Sequence, residues 1–217
     1  MARRAAPRVD PVTSEIILGA FETICYEMAT HVSLSATTPI LNQSNERNAT
    51  ILDGRGALAA LSVGIPQFML SSTLPVRFAL DFFGPDGFAD GDVLVANDPY
   101  HGGGHLPDYN VFAPVVVDGE VVLIASIQCH HADTGGGMPG GYNAEALDIW
   151  AEGVRFPAVK VIERGRERLA QERVQVRVCG PAVARHARHR RRDSDVSPAR
   201  RIRSTCAAPS PSAGPRR

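Results

Sequence analysis

The sequence predicts an α+β fold: a mixed or antiparallel sheet with flanking helices. Three observations carry this prediction. Near the N-terminus Ile16, Ile17, Ala20, Phe21, Ile24, Cys25 and Met28 recur at helical spacing. Leu74, Phe78 and Phe82 share the face of a second helix, expected over Thr73 to Phe83. Two strand-like runs, Val111 to Val117 and Glu120 to Gln128, flank Asp118-Gly119, a dipeptide that tolerates the positive φ values of a tight hairpin turn. The chain has 217 residues, of which 44% are hydrophobic. That is enough for one buried core, or one core plus a tail.

In chain order, Asp10-Pro11 followed by Thr13 and Ser14 starts the first helix, which should run to about His31. The stretch from Asn42 to Gly56 is polar, then strand-like over Ala49-Thr50-Ile51-Leu52, before an Asp53-Gly54 turn. Gly84-Pro85-Asp86-Gly87 ends the second helix, and Asp92 to Ala96 follows as a buried strand. Val159-Lys160-Val161 reads as strand or loop. From Gln171 onward apolar periodicity fades, Arg185 to Arg192 is nearly all Arg and His, and Pro198 to Arg217 is rich in Ala, Ser, Pro and Arg. Such a segment buries too little apolar surface to offset its ordering entropy, so residues 169–217 are expected to form a disordered basic tail behind a folded region at 1–168.

The formal net charge of zero hides an asymmetry. Residues 1–170 carry 11 Lys+Arg and 20 Asp+Glu, whereas residues 171–217 carry 12 and 3. An arginine-rich tail invites a nucleic-acid reading, but it lacks interleaved aromatics and any nucleic-acid fold motif, so no nucleic-acid partner is expected. No apolar run approaches the roughly 20 residues that span a bilayer. The basic start Met1-Ala-Arg-Arg-Ala-Ala-Pro-Arg has no apolar signal-peptide stretch, which predicts a cytoplasmic protein without a membrane partner. Cys25, Cys129, Cys179 and Cys206 form no CxxC pair and are expected mainly as buried small hydrophobes or free thiols.

The chemistry concentrates between Asn97 and Asn143. Two Gly-rich loops flank the hairpin: Asn97-Asp98-Pro99-Tyr100-His101-Gly102-Gly103-Gly104-His105-Leu106-Pro107-Asp108, and a second from His130-His131-Ala132-Asp133 to Gly140-Gly141. An antiparallel hairpin brings its outer ends together, so both loops should meet at one end of the sheet. His105 and Asp108 are close enough in sequence to face one centre from a single turn. His130 or His131 would join from the end of the second hairpin strand. Two neutral imidazoles and one carboxylate leave open coordination positions, as hydrolytic and redox metal sites need. His131-Ala132-Asp133 is an alternative HxD half of a triad. The competing reading is a set of polar loop residues that hydrogen-bond their own turns. Cys129 beside His130 suggests a thiol nucleophile, but a cysteine ending an apolar strand fits the core better. No GxxxxGK[ST] phosphate loop, no GxGxxG opening a helix and no GxSxG elbow is present.

The order Asn97-Asp98-Pro99-Tyr100, Gly-Gly, His105-x-x-Asp108, then His130-x-x-Asp133-x-Gly-Gly, then Ile149-Trp150-Ala151-Glu152-Gly153-Val154-Arg155-Phe156-Pro157 resembles the hydantoinase B/oxoprolinase family over roughly residues 10–168. The resemblance implies an incomplete fragment of a larger family fold. It implies a cytoplasmic subunit that works with a hydantoinase A-type, ATP-binding partner on a cyclic amide (hydantoin or 5-oxoproline). The family also includes carboxylases that act on ketones such as acetone and acetophenone. Carried over residue by residue, the ligands of a divalent transition metal (Mn, Zn or Fe) are His105, Asp108 and His130. His131, Asp133 and Asp98 become the catalytic or substrate-contacting candidates, with ATP on the partner subunit. Asn48-Ala49 stand where the family has an acidic residue after Glu46-Arg47, and Gln67-Phe68-Met69 stand where it often has a histidine after Ile65-Pro66. The resemblance ends near Arg168, and a shift of reading frame there is expected to account for the tail. A truncated, inactive remnant with at most a partner-binding role is the third functional expectation.

Overall fold

The structure is a computed structural model that describes residues 9–84, 86–138 and 140–168. The expectations of a disordered tail and a shifted frame lie outside these residues. Helix α1 spans Pro11–Ser35 and starts where the sequence predicts: the Asp10 carboxylate accepts from the Thr13 backbone N–H at 3.0 Å, which satisfies one of the orphan donors of the first turn. It runs past His31 because no glycine or proline falls between His31 and Ser35. A short helix, α2 (Pro39–Asn42), leads into strand β1 (Arg47–Asp53), which turns through Asp53-Gly54 into β2 (Leu58–Leu61). Helices α3 (Pro66–Ser71) and α4 (Leu74–Phe83) follow, then β3 (Val93–Ala96), β4 (Asp108–Val117), β5 (Glu120–His130), β6 (Val159–Glu163) and β7 (Arg166–Glu167).

All seven strands form one antiparallel sheet in the order β2-β1-β5-β4-β3-β6-β7. The predicted hairpin is β4–β5. Its turn residues Asp118 and Gly119 have φ of 52° and 83°, the left-handed values that the dipeptide was chosen for. Successive side chains alternate between sheet faces. One face buries Leu52, Leu94, Phe112 and Ile124 against Val76 and Ala79 of α4. The other buries Ile51 and Ala60 under Cys25 of α1, with a second apolar cluster of Val95, Tyr109 and Phe156 further along.

The apolar stripe of α1 is largely uncovered: Ile16 is 67% exposed and Ile24 43%, and only Cys25 and Ala29 are buried. Periodicity identified the helix but not how much of the face is covered. Among the described cysteines, Cys25 and Cys129 are free and buried. Burial pushes the Cys129 thiol up to about 12, so it fits the core and not a nucleophile. Among the described residues no helix is long and apolar enough to cross a membrane.

Lys160 of β6 closes the far side of the sheet. Its Nζ lies 2.8 Å from Oδ2 of the buried Asp92, which also accepts from the Ala89 and Arg164 backbone N–H groups. Burial alone would raise the Asp92 carboxyl, but these three donors outweigh it and hold it below its ordinary 3.8. Asp92→Asn removes the buried charge partner of Lys160, leaving only the half-exposed Glu163 at 3.9 Å, and should cost about 3 kcal/mol in urea unfolding at pH 7. The wild-type contribution should be complete above pH 3.8 and fade as pH falls through the depressed folded value.

Candidate metal centre

The β4–β5 register sets Asp108 directly opposite His130 at the end of the hairpin. Both side chains are buried, at 1% and 0% exposure. His130 Nδ1 lies 2.9 Å from Asp108 Oδ1. His105, three residues before Asp108, swings its ring over the same carboxylate, with Nε2 at 3.3 Å from Asp108 Oδ1. The ligand atoms of His105, Asp108 and His130 all lie within 4.8 Å of one another. The two Gly-rich loops meet at one end of the sheet, as the hairpin argument requires.

The first loop is held by buried side chains. Asn97 Nδ2 donates to the Leu106 and Val154 carbonyls, each at 2.7 Å, and its Oδ1 accepts from the Phe156 N–H at 2.6 Å. A β-carbon at Gly104 would overlap Asp108 Oδ2, so only glycine lets this loop close on the carboxylate. Next along the same sheet face runs a buried polar row, Asn48, Gln128 and Asn110, paired across three strands. Ser62 Oγ donates to Asn48 Oδ1 at 3.0 Å and Ser126 Oγ to Asn110 Oδ1 at 2.6 Å.

Charge follows from this packing. Burial raises the Asp108 carboxyl, but hydrogen bonds from His105 and His130 outweigh it and the net shift is downward. Burial lowers the His130 ring, but Asp108 and the Gly140 carbonyl, 3.2 Å from Nε2, outweigh it and the net shift is upward. Both His130 nitrogens therefore face acceptors, and a cation replacing the Nδ1 proton meets a ready carboxylate.

The three remaining candidates are not brought into this cluster. His131 points to the opposite face because side chains alternate along a strand. Its ring packs on Tyr109 at 4.5 Å and its N–H donates to the Pro107 carbonyl. Asp133 is exposed and its Oδ1 accepts from the Gly135 N–H, a local turn. Asp98 is buried, accepts from the Tyr100 N–H, and pairs with His101 at 2.7 Å and with Arg155 Nε at 3.4 Å. Three residues absent from the predicted site surround it instead. Glu46 Oε2 is 3.8 Å from His130 Nδ1, Glu152 Oε2 is 3.7 Å from His105 Nδ1, and the Tyr142 ring stacks on His130 at 5.1 Å. Burial first, and then the nearby Glu46, Asp108 and Glu152 carboxylates, push the Tyr142 hydroxyl upward. The Glu-Gly-Val-Arg segment contained the signal for Glu152; for Glu46 and Tyr142 nothing in the spacing marked a site.

Two imidazole nitrogens and a carboxylate oxygen converging under loops at a sheet end define a candidate metal centre of the mixed nitrogen–oxygen type. The hydantoinase B/oxoprolinase family model matches residues 10–196, and the chain belongs to that family. The match runs beyond Arg168, where the sequence motifs end. The chain is 33% identical over 160 residues to the caprolactamase subunit beta of Pseudomonas jessenii, covering 74% of this chain and 27% of that protein. It is 31% identical to 5-oxoprolinase 1 of Arabidopsis thaliana, covering 72% and 12%. The crystal structure of the ATP-dependent caprolactamase from P. jessenii superposes with a TM-score of 0.74 at 30% identity, over 82% of this chain and 31% of that one. A nucleotide-free acetone carboxylase superposes with a TM-score of 0.70 at 19% identity, over 78% and 22%, a likeness of fold. The chain thus spans about a quarter of the length of the caprolactamase subunit.

His131 supplies a pH test of the metal-free protein. Burial first, then the neighbouring His130, lowers its ring from 6.5 to about 4. Between those values the folded chain binds fewer protons than the unfolded chain, so stability should fall as pH drops from 6.5 to 4. His130 acts in a separate window: its contribution is complete below 6.5 and fades as pH rises through the raised folded value. Urea unfolding across the acid window should show the slope in wild type and a flatter one in His131→Gln. Equal slopes would remove His131 from the account.

Proposed function

We propose that this chain is the metal-binding part of a B-type subunit in an ATP-dependent cyclic-amide hydrolase, working with a hydantoinase A-type partner that binds ATP. The observation that carries the reading is the convergence of His105 Nε2, His130 Nδ1 and Asp108 Oδ1. Two neutral nitrogens and one anionic oxygen fit a divalent Mn, Zn or Fe ion and leave positions open. Such an ion, when bound, polarises a carbonyl oxygen or activates water. The chain's own residues do the rest. Asp108 and His130 are buried and held in place by the hairpin register. Tyr142 covers both imidazoles from the solvent side, and Glu46 sets a carboxylate beside the inward nitrogen of His130.

The amide reading draws support from the relatives, which are named as a caprolactamase subunit and 5-oxoprolinases. A ketone carboxylase reading rests on the family resemblance and on a likeness of fold to an acetone carboxylase, and no residue of the centre favours it. Energy for opening an unstrained amide comes from ATP, yet the sequence holds no glycine loop with its lysine to cradle phosphates. ATP is assigned to the partner subunit on the family resemblance.

Metal content tests the centre. The purified chain should bind about one divalent transition metal ion, and His105→Ala or Asp108→Ala should lose it, because each removes one of three protein ligands. Unchanged metal content in both variants would refute the assignment. The division of labour is tested separately. The metal-loaded chain alone should show neither ATP hydrolysis nor hydantoin, oxoproline or lactam opening. Activity should appear only with an ATP-binding A-type subunit. Turnover by the isolated chain that disappears in His105→Ala would contradict the two-subunit reading.

A further inference from the structure

His105 turns Nε2 towards Asp108 and Nδ1 towards Glu152. A neutral imidazole has one N–H, and the nitrogen that ligates a metal must be the bare one, so the partner of the other nitrogen decides which tautomer is present. We propose that Glu152 is a positioning residue: with a cation on Nε2 in place of the proton shared with Asp108, the Glu152 carboxylate takes the Nδ1–H of His105 and holds the ring with Nε2 turned towards Asp108 and His130. This rests on the metal reading above.

The equivalent position on His130 is already served, since its outward Nε2 faces the Gly140 carbonyl at 3.2 Å. On His105 the acceptor beside the outward nitrogen is Glu152 Oε2, at 3.7 Å. That is an ion-pair separation, longer than a hydrogen bond, and a turn of either side chain has to bring the two atoms to about 3 Å. Glu46 is not interchangeable with Glu152, because it lies beside the inward nitrogen of its histidine.

The second Gly-rich loop explains how Glu152 reaches this place. Glu152 ends a single 3-10 turn, Ile149–Ala151, that Asp148 caps by accepting from the Trp150 and Ala151 N–H groups. The loop clamps this turn along its backbone. Gly137 N–H donates to the Ala151 carbonyl at 2.9 Å, Thr134 Oγ1 to the Glu152 carbonyl at 2.9 Å, and Val154 N–H to the Thr134 carbonyl at 3.1 Å. Gly135 and Gly153 form an isolated antiparallel bridge. A β-carbon at Gly136 would overlap the Glu152 carbonyl, and one at Gly153 would overlap Thr134 Oγ1. These glycines cradle no phosphate; they let one backbone lie against another. Beyond Glu152, Val154 is tied to Asn97 and Arg155 to Asp98, so the carboxylate hangs from a segment pinned on both sides.

The experiment uses the full chain loaded with zinc, in wild type, Glu152→Ala and Glu152→Gln, with Glu145→Ala as a control from the same loop. Affinity is read by chelator competition, and the hydrogen bond of the His105 Nδ1–H by proton and nitrogen NMR of its ring, because a zinc on Nε2 already leaves the proton on Nδ1. Glu152→Ala should weaken zinc binding about 10- to 100-fold and release the Nδ1–H from its hydrogen bond. Glu152→Gln, whose amide oxygen still accepts an N–H, should keep the hydrogen bond with intermediate affinity. Glu145→Ala should match wild type, and the melting temperature of metal-free Glu152→Ala should stay near it. Wild-type affinity and an unchanged Nδ1–H signal in Glu152→Ala would overturn the proposal. So would complete loss of zinc in both Glu152 variants, which would make Glu152 a ligand. A collapse of the metal-free melting temperature in Glu152→Ala with the Nδ1–H signal unchanged would also overturn it, making the role purely structural. A wild type that binds no zinc, manganese or iron would overturn the metal reading and this proposal together.

Discussion

The buried carboxylate of Asp108 is the interaction on which the rest of this structure depends. At 1% exposure it would be costly as an isolated charge. The cost is offset by the two imidazoles that share its Oδ1, His130 at 2.9 Å and His105 at 3.3 Å. Each of those in turn needs a partner for its outer nitrogen, which brings in the Gly140 carbonyl and Glu152. The two Gly-rich loops are thus consequences of one charge: the first closes tightly enough to put His105 over Asp108, and the second delivers the outer partners.

The scaffold suits that demand. The antiparallel hairpin sets Asp108 opposite His130 through a register fixed by the tight turn at its other end together with one irregularity between Val115 and Val116. Alternation along the strands then sorts the side chains. One face receives Asp108, His130 and the polar row of Asn48, Gln128 and Asn110; the other receives Tyr109, Cys129 and His131 among apolar neighbours. Two adjacent histidines consequently titrate in opposite directions, His130 upward beside a carboxylate and His131 downward in an apolar setting.

What was legible in the sequence follows from how local each signal is. The α1 start at Asp10, the Asp118-Gly119 turn and the helix ending before Gly84 are decided by residues within a few positions, and all appear in the structure. The juxtaposition of the two loops followed from hairpin geometry alone. Strand β2 and helix α3 were not legible, because Leu58–Leu61 and Pro66–Ser71 are too short to show a period. The exposure of the α1 stripe was not legible, because an apolar stripe does not say what covers it. In the site, a short spacing brought His105 to Asp108, but no spacing rule links Glu46, Tyr142 or Glu152 to a histidine that far along the chain. Asp98 and Asp133 were plausible as reactive carboxylates by type, yet each is occupied with backbone N–H groups of its own turn.

The chain belongs to the hydantoinase B/oxoprolinase family and shares its fold with part of an ATP-dependent caprolactamase. The central claim, however, is local: the Asp108 carboxylate and its two imidazoles form one cation site. Anomalous diffraction from crystals soaked in zinc or manganese, collected on both sides of the metal absorption edge, tests it most directly. The account predicts a single strong anomalous peak bounded by His105 Nε2, His130 Nδ1 and Asp108 Oδ1. A peak elsewhere on the chain, or none while His130 still hydrogen-bonds Asp108, would contradict it.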